Sequence, residues 1–407
     1  MSLLSPRDAV ADQNFLGDPA PRLLGAVWTL LVINTLGSQG ADTIIPIPKP
    51  VAQIVTMGAV VGAFLLALLI NPRIQLRPSA YLLILTLLLV ASIASSVRME
   101  SGYGALLRCF RFTVFVATLW LVTRWWHDWL ALVRHHVRAI AAVLATVLLG
   151  LVISPGTARP ESYGGRVVGA IWPLTPPQVG LYSATVTGLV VLLWLGNRTT
   201  RTSMLLLAVP AVGLLLLSHT RTALIGLVAG LAVALLSLAS TSERARKVFT
   251  RAALAAGLAV LVVGPALQTW FRRGQDDLSS LTGREKVWDA LLAAPRTVSE
   301  QFLGVGLTNK SFDGLPIDSS WLAVYQEQGY MGLALVVAFL ATLLAVAALR
   351  PPSLARACAL FLIFYTIIAS YTEAGLGDAS PYLLNLFLAA ALLATGARST
   401  PRPEVRT

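Results

Sequence analysis

Charged side chains are scarce in this chain. Asp, Glu, Lys and Arg make up 12% of its 407 residues while apolar residues make up 56%, whereas about a quarter of an ordinary soluble domain is charged. That balance excludes a water-soluble enzyme of this length. Cysteine is almost absent: Cys109 and Cys358 both lie inside apolar runs, which leaves neither a disulfide framework nor a Cys-based metal site. The four histidines, His127, His135, His136 and His219, form no metal-ligand pattern with acidic residues. There is no P-loop and no complete dinucleotide fingerprint, since Gly304 and Gly306 of LGVGL stand without a surrounding strand pattern. The basic start of a cleavable signal is missing as well. Asp8, Asp12 and Asp18 precede the first apolar run, so that run is expected to stay as an anchor.

What the chain has is long apolar runs. A helical span takes about 20 residues to cross roughly 30 Å of hydrocarbon. Runs of this kind lie near residues 22–37, 51–70, 80–97, 105–123, 139–154, 177–196, 203–218, 222–240, 252–270, 329–349, 356–372 and 381–397. The fold class expected is therefore an all-α polytopic membrane protein with about twelve transmembrane helices. The net charge of +12 points to topology rather than to nucleic acid, because the basic residues punctuate these runs. With the N-terminus inside, the short inner connections collect Arg73, Arg77, Arg124, Arg134, Arg138, Arg198, Arg201 and the cluster Arg244, Arg246, Lys247 and Arg251. The outer ones hold few basic residues apart from a single long loop. The expected organisation is a cytoplasmic tail at 1–21, nine helices within 22–270, an extracytoplasmic loop carrying the functional elements at 271–328, three helices within 329–397 and a cytoplasmic tail at 398–407.

Several side chains are hard to justify as topology alone. Arg108 and Arg111, three apart, leave one face of a span just below the outer surface. Arginine there either snorkels to headgroups or meets an anion such as phosphate. Arg221 in SHTRTAL stands where one run ends outside and the next begins, with Ser218, Thr220 and Thr222 as capping hydroxyls and His219 as a turn residue. Arg166 lies in an outer segment whose prolines are expected to break a helix before Gln178. In the long loop, Val287, Leu291 and Leu292 predict an amphipathic helix carrying Arg284 and Lys286. Asp318 reads as a helix N-cap or as a catalytic base, ahead of Trp321, Leu322 and Tyr325. Glu373 and Asp378 are either solvated or placed to meet sugar hydroxyls. Trp125, Trp126 and Trp129 read as an interfacial aromatic belt, with the inner histidines facing headgroups. Forked guanidinium groups from separate parts of the chain suit one diphosphate.

Over roughly residues 160–345 the motifs SHTRTAL, GREKVW, LGVGL, DSSWL and QGYMGL, in this order around one large loop, resemble the O-antigen ligase and O-antigen polymerase superfamily of bacterial membrane glycosyltransferases. The resemblance implies a membrane glycosyltransferase fold of the C type. It also implies transfer of a glycan from a polyprenyl-pyrophosphate carrier to an acceptor sugar hydroxyl outside the bacterial cytoplasmic membrane, in cell-surface polysaccharide polymerisation or ligation, with inversion and without a cofactor or metal. The partners implied are the lipid-linked donor, the glycan acceptor and the bilayer, with no nucleic acid. Arg221 matches the arginine of the SRT-like motif, Arg284 that of the GR…W motif, and Arg166 an arginine of an outer segment. Arg108 and Arg111 rest on the burial argument, Asp318 takes the catalytic position, and Trp321, Glu373 and Asp378 are candidate acceptor contacts. Where the ligase branch carries a histidine in an HN…L motif, this chain reads Asp318-Ser319-Ser320-Trp321-Leu322, which resembles the polymerase branch. The alternative reading is a polyprenyl-linked glycan flippase or an anionic-substrate transporter.

Overall fold

A computed structural model describes residues 20–37, 42–99, 101–251, 279–308 and 310–394, with the backbone alone for 279–283. The architecture is all-α. In chain order the main helices are α1 Arg22–Asn34, α2 Lys49–Ile70, α3 Ala80–Arg98, α4 Gly102–Val122, α5 Trp129–Ile153, α6 Pro176–Leu195, α7 Arg201–Leu217 and α8 Arg221–Ala239. They continue as α9 Ser279–Ala293, α10 Val298–Leu303, α11 Ser320–Leu349, α12 Leu354–Ala369 and α13 Pro381–Ala394. A two-residue hairpin, β1 Ser311–Phe312 against β2 Leu315–Pro316, stands between α10 and α11. Eleven of the twelve predicted runs are helical. The ninth, 252–270, the loop residues 271–278, residues 1–19 of the first tail and the whole of the last lie outside the described residues.

Among the described residues six helical segments are long and apolar enough to cross a membrane: α2, α3, the continuous stretch Gly102–Ile153, α6, α8 and α11. α1, α7, α12 and α13 are apolar but shorter, 10–17 residues. Along the outside of the bundle Ile54, Leu69, Leu206, Val209, Val228 and Leu236 are more than half exposed, an apolar surface far too extensive for water. α13 forms the centre, with every residue from Tyr382 to Leu393 buried.

Local sequence explains the boundaries. Ser79, Asp128, Thr200 and Ser353 cap α3, α5, α7 and α12 through side-chain oxygens that accept backbone N–H groups. Pro176 and Pro177 open α6 rather than break it, because Thr175 and Gln178 form a reciprocal capping box and proline in the first turn gives up no hydrogen bond. α5 starts ten residues earlier than expected, since Asp128 caps it. A 3-10 segment, Thr123–Asp128, joins it to α4.

That early start overturns the reading of the tryptophans and of one histidine. Trp125 and Trp126 are buried, Trp126 against Phe387 of α13, and His136 is buried in the core. Trp28 Nε1 donates to His136 Nδ1 at 3.0 Å, so the ring proton sits on Nε2 and faces Asn385 Oδ1 at 2.9 Å. This chain of hydrogen bonds ties α1, α5 and α13 together through polar groups that have no water to fall back on. His136→Leu leaves the Trp28 donor and the Asn385 acceptor without these partners, at about 1–3 kcal/mol each. Thermal unfolding in detergent is expected to shift several degrees lower for this variant, while a change on the exposed apolar surface such as Val209→Leu leaves it in place.

Candidate active site

Polar connections from distant parts of the chain interlock at one end of the bundle. Arg166 Nε, from the connection after α5, donates to the Ser218 carbonyl at 2.9 Å. Thr220 Oγ1 donates to the Pro176 carbonyl at 3.1 Å, Thr222 meets Thr372 at 2.7 Å, and the Ser320 amide donates to the Ser370 carbonyl at 2.9 Å. His219 takes a positive φ of 49° in the turn between α7 and α8, which brings Arg221 in at the first position of α8.

The loop is held by its own small core. Val287 and Leu291 of α9 bury against Ile317 and Ala323, ringed by Phe312, Leu322, Tyr325 and Ala374. The amphipathic helix forms as expected, but Leu292 points outward at 60% exposure. One turn before Val287, Arg284 Nε donates to Asp318 Oδ2 at 2.9 Å. Asp318 is not the N-cap. Ser319 occupies that position without a side-chain bond, and the Asp318 carboxylate is committed to Arg284. Trp321 packs on the main hydrophobic core.

The two glycine motifs pack backbone on backbone. α11 breaks at Gly329, where φ is 63°, and Gly304 has φ 74°. A Cβ on Gly329 would stand 2.5 Å from the Phe302 carbonyl carbon, and one on Gly304 2.3 Å from that of Glu327. Val305 and Gly306 amides donate to the Gln326 and Glu327 carbonyls at 2.9 and 3.0 Å. LGVGL is thus a clamp on the first turns of α11, with no phosphate-loop role.

The clamp delivers Glu327 to Arg108. Arg108 Nη1 pairs with Glu327 Oε1 at 2.8 Å and Nη2 with Asp378 Oδ2 at 2.7 Å, and Lys310 Nζ holds the other Asp378 oxygen at 2.7 Å. The Lys310 amide also donates to Glu327 at 3.1 Å. Arg111 donates to the Asn34 carbonyl. The anions expected for Arg108 are therefore the protein's own Glu327 and Asp378. Burial opposes the charge on Asp378, yet Lys310, Arg108 and Arg111 outweigh it and hold the carboxyl well below the usual carboxylate range. Asp378 is buried and paired, neither solvated nor open to a sugar. Glu327 and Lys310 escaped the sequence reading. An acid beside the apolar run of α11 was a usable signal for Glu327; nothing marked Lys310.

The second cluster is different in kind. Arg221, Arg284 and Glu373 all lie within electrostatic reach of Arg166, and Arg284 within that of Glu373 as well. Burial first, then Arg284 and Arg221, disfavours the charge on Arg166, with Glu373 countering. Burial, and then Asp318, pushes the Glu373 carboxyl up to about 8 against the pull of Arg284 and Arg166. Between the clusters lies a cavity of about 240 Å³ lined by Lys310, Asp318 and Glu373 with Thr175, Gln178, Pro381 and Tyr382. Among the described residues no group of three or more His, Cys, Asp or Glu is placed to hold a metal ion.

Two stability measurements follow. Arg108→Leu takes from the buried Glu327 its ion pair and from Asp378 one of its two, and is expected to cost about 3–5 kcal/mol, whereas Arg284→Leu, from a pair about a third exposed, costs about 0–1 kcal/mol; equal losses in melts of the two variants in detergent would contradict this division. Glu373 binds its proton more tightly folded, with a value of about 8, than unfolded, near 4.3. Its contribution is complete below about pH 4 and is lost as pH rises through 8, so Glu373→Gln is expected to flatten the decline in melting temperature between about pH 5 and 8.5.

No family model matches this chain, and no curated protein matches it.

Proposed function

We propose that this protein is a membrane glycosyltransferase that moves a glycan from a polyprenyl-pyrophosphate carrier to an acceptor sugar hydroxyl, in building a bacterial cell-surface polysaccharide. In this reading the chain crosses the cytoplasmic membrane twelve times, with both termini inside and the cavity at the outer face. The observation that carries it is Arg166, with Arg221 and Arg284 both within its electrostatic reach, next to Glu373, which lines a cavity together with Asp318. Burial and the nearby Arg284 and Arg221 disfavour the charge on Arg166, and an anionic ligand at that guanidinium would offset this cost. The polar partners of Arg166 are neutral, a carbonyl and a hydroxyl, so its charge remains available to a ligand.

A diphosphate fits this cluster through forked, charge-assisted hydrogen bonds. As the bond from the anomeric carbon to the diphosphate oxygen breaks, negative charge grows on the leaving group, and guanidinium groups already in place stabilise it without reorganisation. The acceptor hydroxyl enters the cavity opposite, where the carboxyls of Asp318, fixed by Arg284, and of Glu373 line the wall. Arg108 and Arg111 serve on the other wall by neutralising and placing Asp378, and through it Lys310, rather than by touching the donor.

Arg221→Ala and Asp318→Ala in correctly inserted protein are each expected to lower glycan transfer from a lipid-linked donor by about 10²–10⁴-fold, with melting temperature close to wild type. Unchanged turnover in both variants would overturn the assignment. Transport of the intact lipid-linked glycan across vesicles by purified protein, with no transfer, would favour a carrier instead.

A further inference from the structure

Two carboxyl groups face the cavity, and they are held in different ways. Asp318 Oδ2 accepts the Arg284 Nε–H at 2.9 Å, so that oxygen is already engaged by the protein. Glu373 lines the same cavity, and among the described residues no side chain donates a hydrogen bond to its carboxyl or forms an ion pair with it. Its main chain is pinned all the same. Ser320 Oγ donates to the Glu373 carbonyl and accepts the Gly375 amide at 2.9 Å, so the side chain is presented from a rigid turn.

We propose that Glu373 is the catalytic base of this site, and that Asp318 is a positioning residue that holds Arg284 against the leaving group. The inference rests on the glycosyltransferase reading above. In the step it describes, the acceptor oxygen forms a bond to the anomeric carbon, and the carbon–oxygen bond to the diphosphate breaks with its electron pair going to the diphosphate. The acceptor hydroxyl proton passes to a Glu373 carboxylate oxygen. Neither an oxidant nor a further reactant is needed.

The groups around Glu373 set how it titrates. Asp318 ahead of α11 raises its affinity for a proton, while Arg284 from α9 and Arg166 from the connection after α5 lower it. Tyr365 of α12 and Tyr382 of α13 also lie within electrostatic reach, and Lys310 faces the same cavity. Burial outweighs the cations and leaves the carboxyl at about 8, where a base can still give up and take a proton at working pH. A base with an ordinary carboxylate value would already be ionised at about pH 6.

The pH profile of kcat/KM separates the two carboxyls. With Glu373 as base, log kcat/KM rises with unit slope from about pH 6 to a plateau above about pH 8. Glu373→Gln is expected to lose about 10²–10⁴-fold and the slope with it. Asp318→Asn loses rate but keeps the rising limb. As a readout independent of turnover, the infrared stretch of a protonated carboxyl should disappear as pH is raised through about 8 in the wild type and be absent from Glu373→Gln. A flat profile from about pH 6 to 9, or a rising limb retained in Glu373→Gln, overturns the role of Glu373 while leaving the transferase reading intact. Absence of any transfer by the wild type, with the infrared titration present, would instead remove the reading on which the inference rests.

Discussion

Everything at the loop end of this bundle depends on one buried group of four charges. Arg108 and Lys310 face Glu327 and Asp378 through three ion pairs of 2.7–2.8 Å, and the four residues come from α4, the connection after α10, α11 and the connection between α12 and α13. Charges away from water are tolerated only when each has its partner in good geometry. The group is therefore all-or-none, and it fixes four segments relative to one another. Displacing any one of them by an ångström would leave a carboxylate or a cation uncompensated. The clamp of Gly304 and Gly306 on the first turns of α11 puts Glu327 within reach of Arg108, and once it is there the entry to α11 is fixed, with Asp318 just ahead of its first turn.

A charge group that is balanced internally makes a scaffold, whereas one with repelling members is where the proposed function puts its anion. Glu327 and Asp378 satisfy Arg108, so that arginine has little to offer a ligand. Arg166 is held by a carbonyl and a hydroxyl, which orient the guanidinium without cancelling its charge. The same distinction applies to the carboxyls. Asp378 is kept ionised by cations on both of its oxygens, Asp318 is shared with Arg284 at a partly exposed position, and Glu373 is left to its surroundings. The progression runs across the cavity, from a wall that is structurally committed to one that is chemically available.

Much of this was legible from the residues. The apolar runs located eleven helices because hydrophobic length survives any detail of packing, and Val287 with Leu291 marked the buried face of α9. Arg166, Arg221 and Arg284 stood out because a charge near an apolar run needs a reason, and Arg221 and Arg284 both lie within electrostatic reach of Arg166. The partners of Arg108 were hidden because Glu327 and Asp378 lie hundreds of positions away in sequence, and ion pairing across such separations leaves no periodicity. Trp125, Trp126 and His136 were misplaced for a related reason. Aromatic residues beside arginines look interfacial in one dimension, but a cap at Asp128 extends α5 far enough to carry His136 into the core beside Trp28 and Asn385.

The location of the cavity follows from the way the bundle is enclosed. α6 and α13 are the most enclosed helices, with α13 buried along almost its whole length, so neither has a lipid-facing side to accommodate polar groups. Their first turns, at Thr175–Gln178 and Pro381–Tyr382, are where that enclosure ends, and both line the cavity. A helix that starts there presents backbone N–H groups and positive dipole ends toward the opening, adding to the arginines without adding side-chain charge. The proposed reaction, which expels a diphosphate, needs fixed positive potential on one side of the reacting carbon and a proton acceptor on the other. The features it draws on are the helix starts at the floor of the cavity and the loops of both charges along its walls.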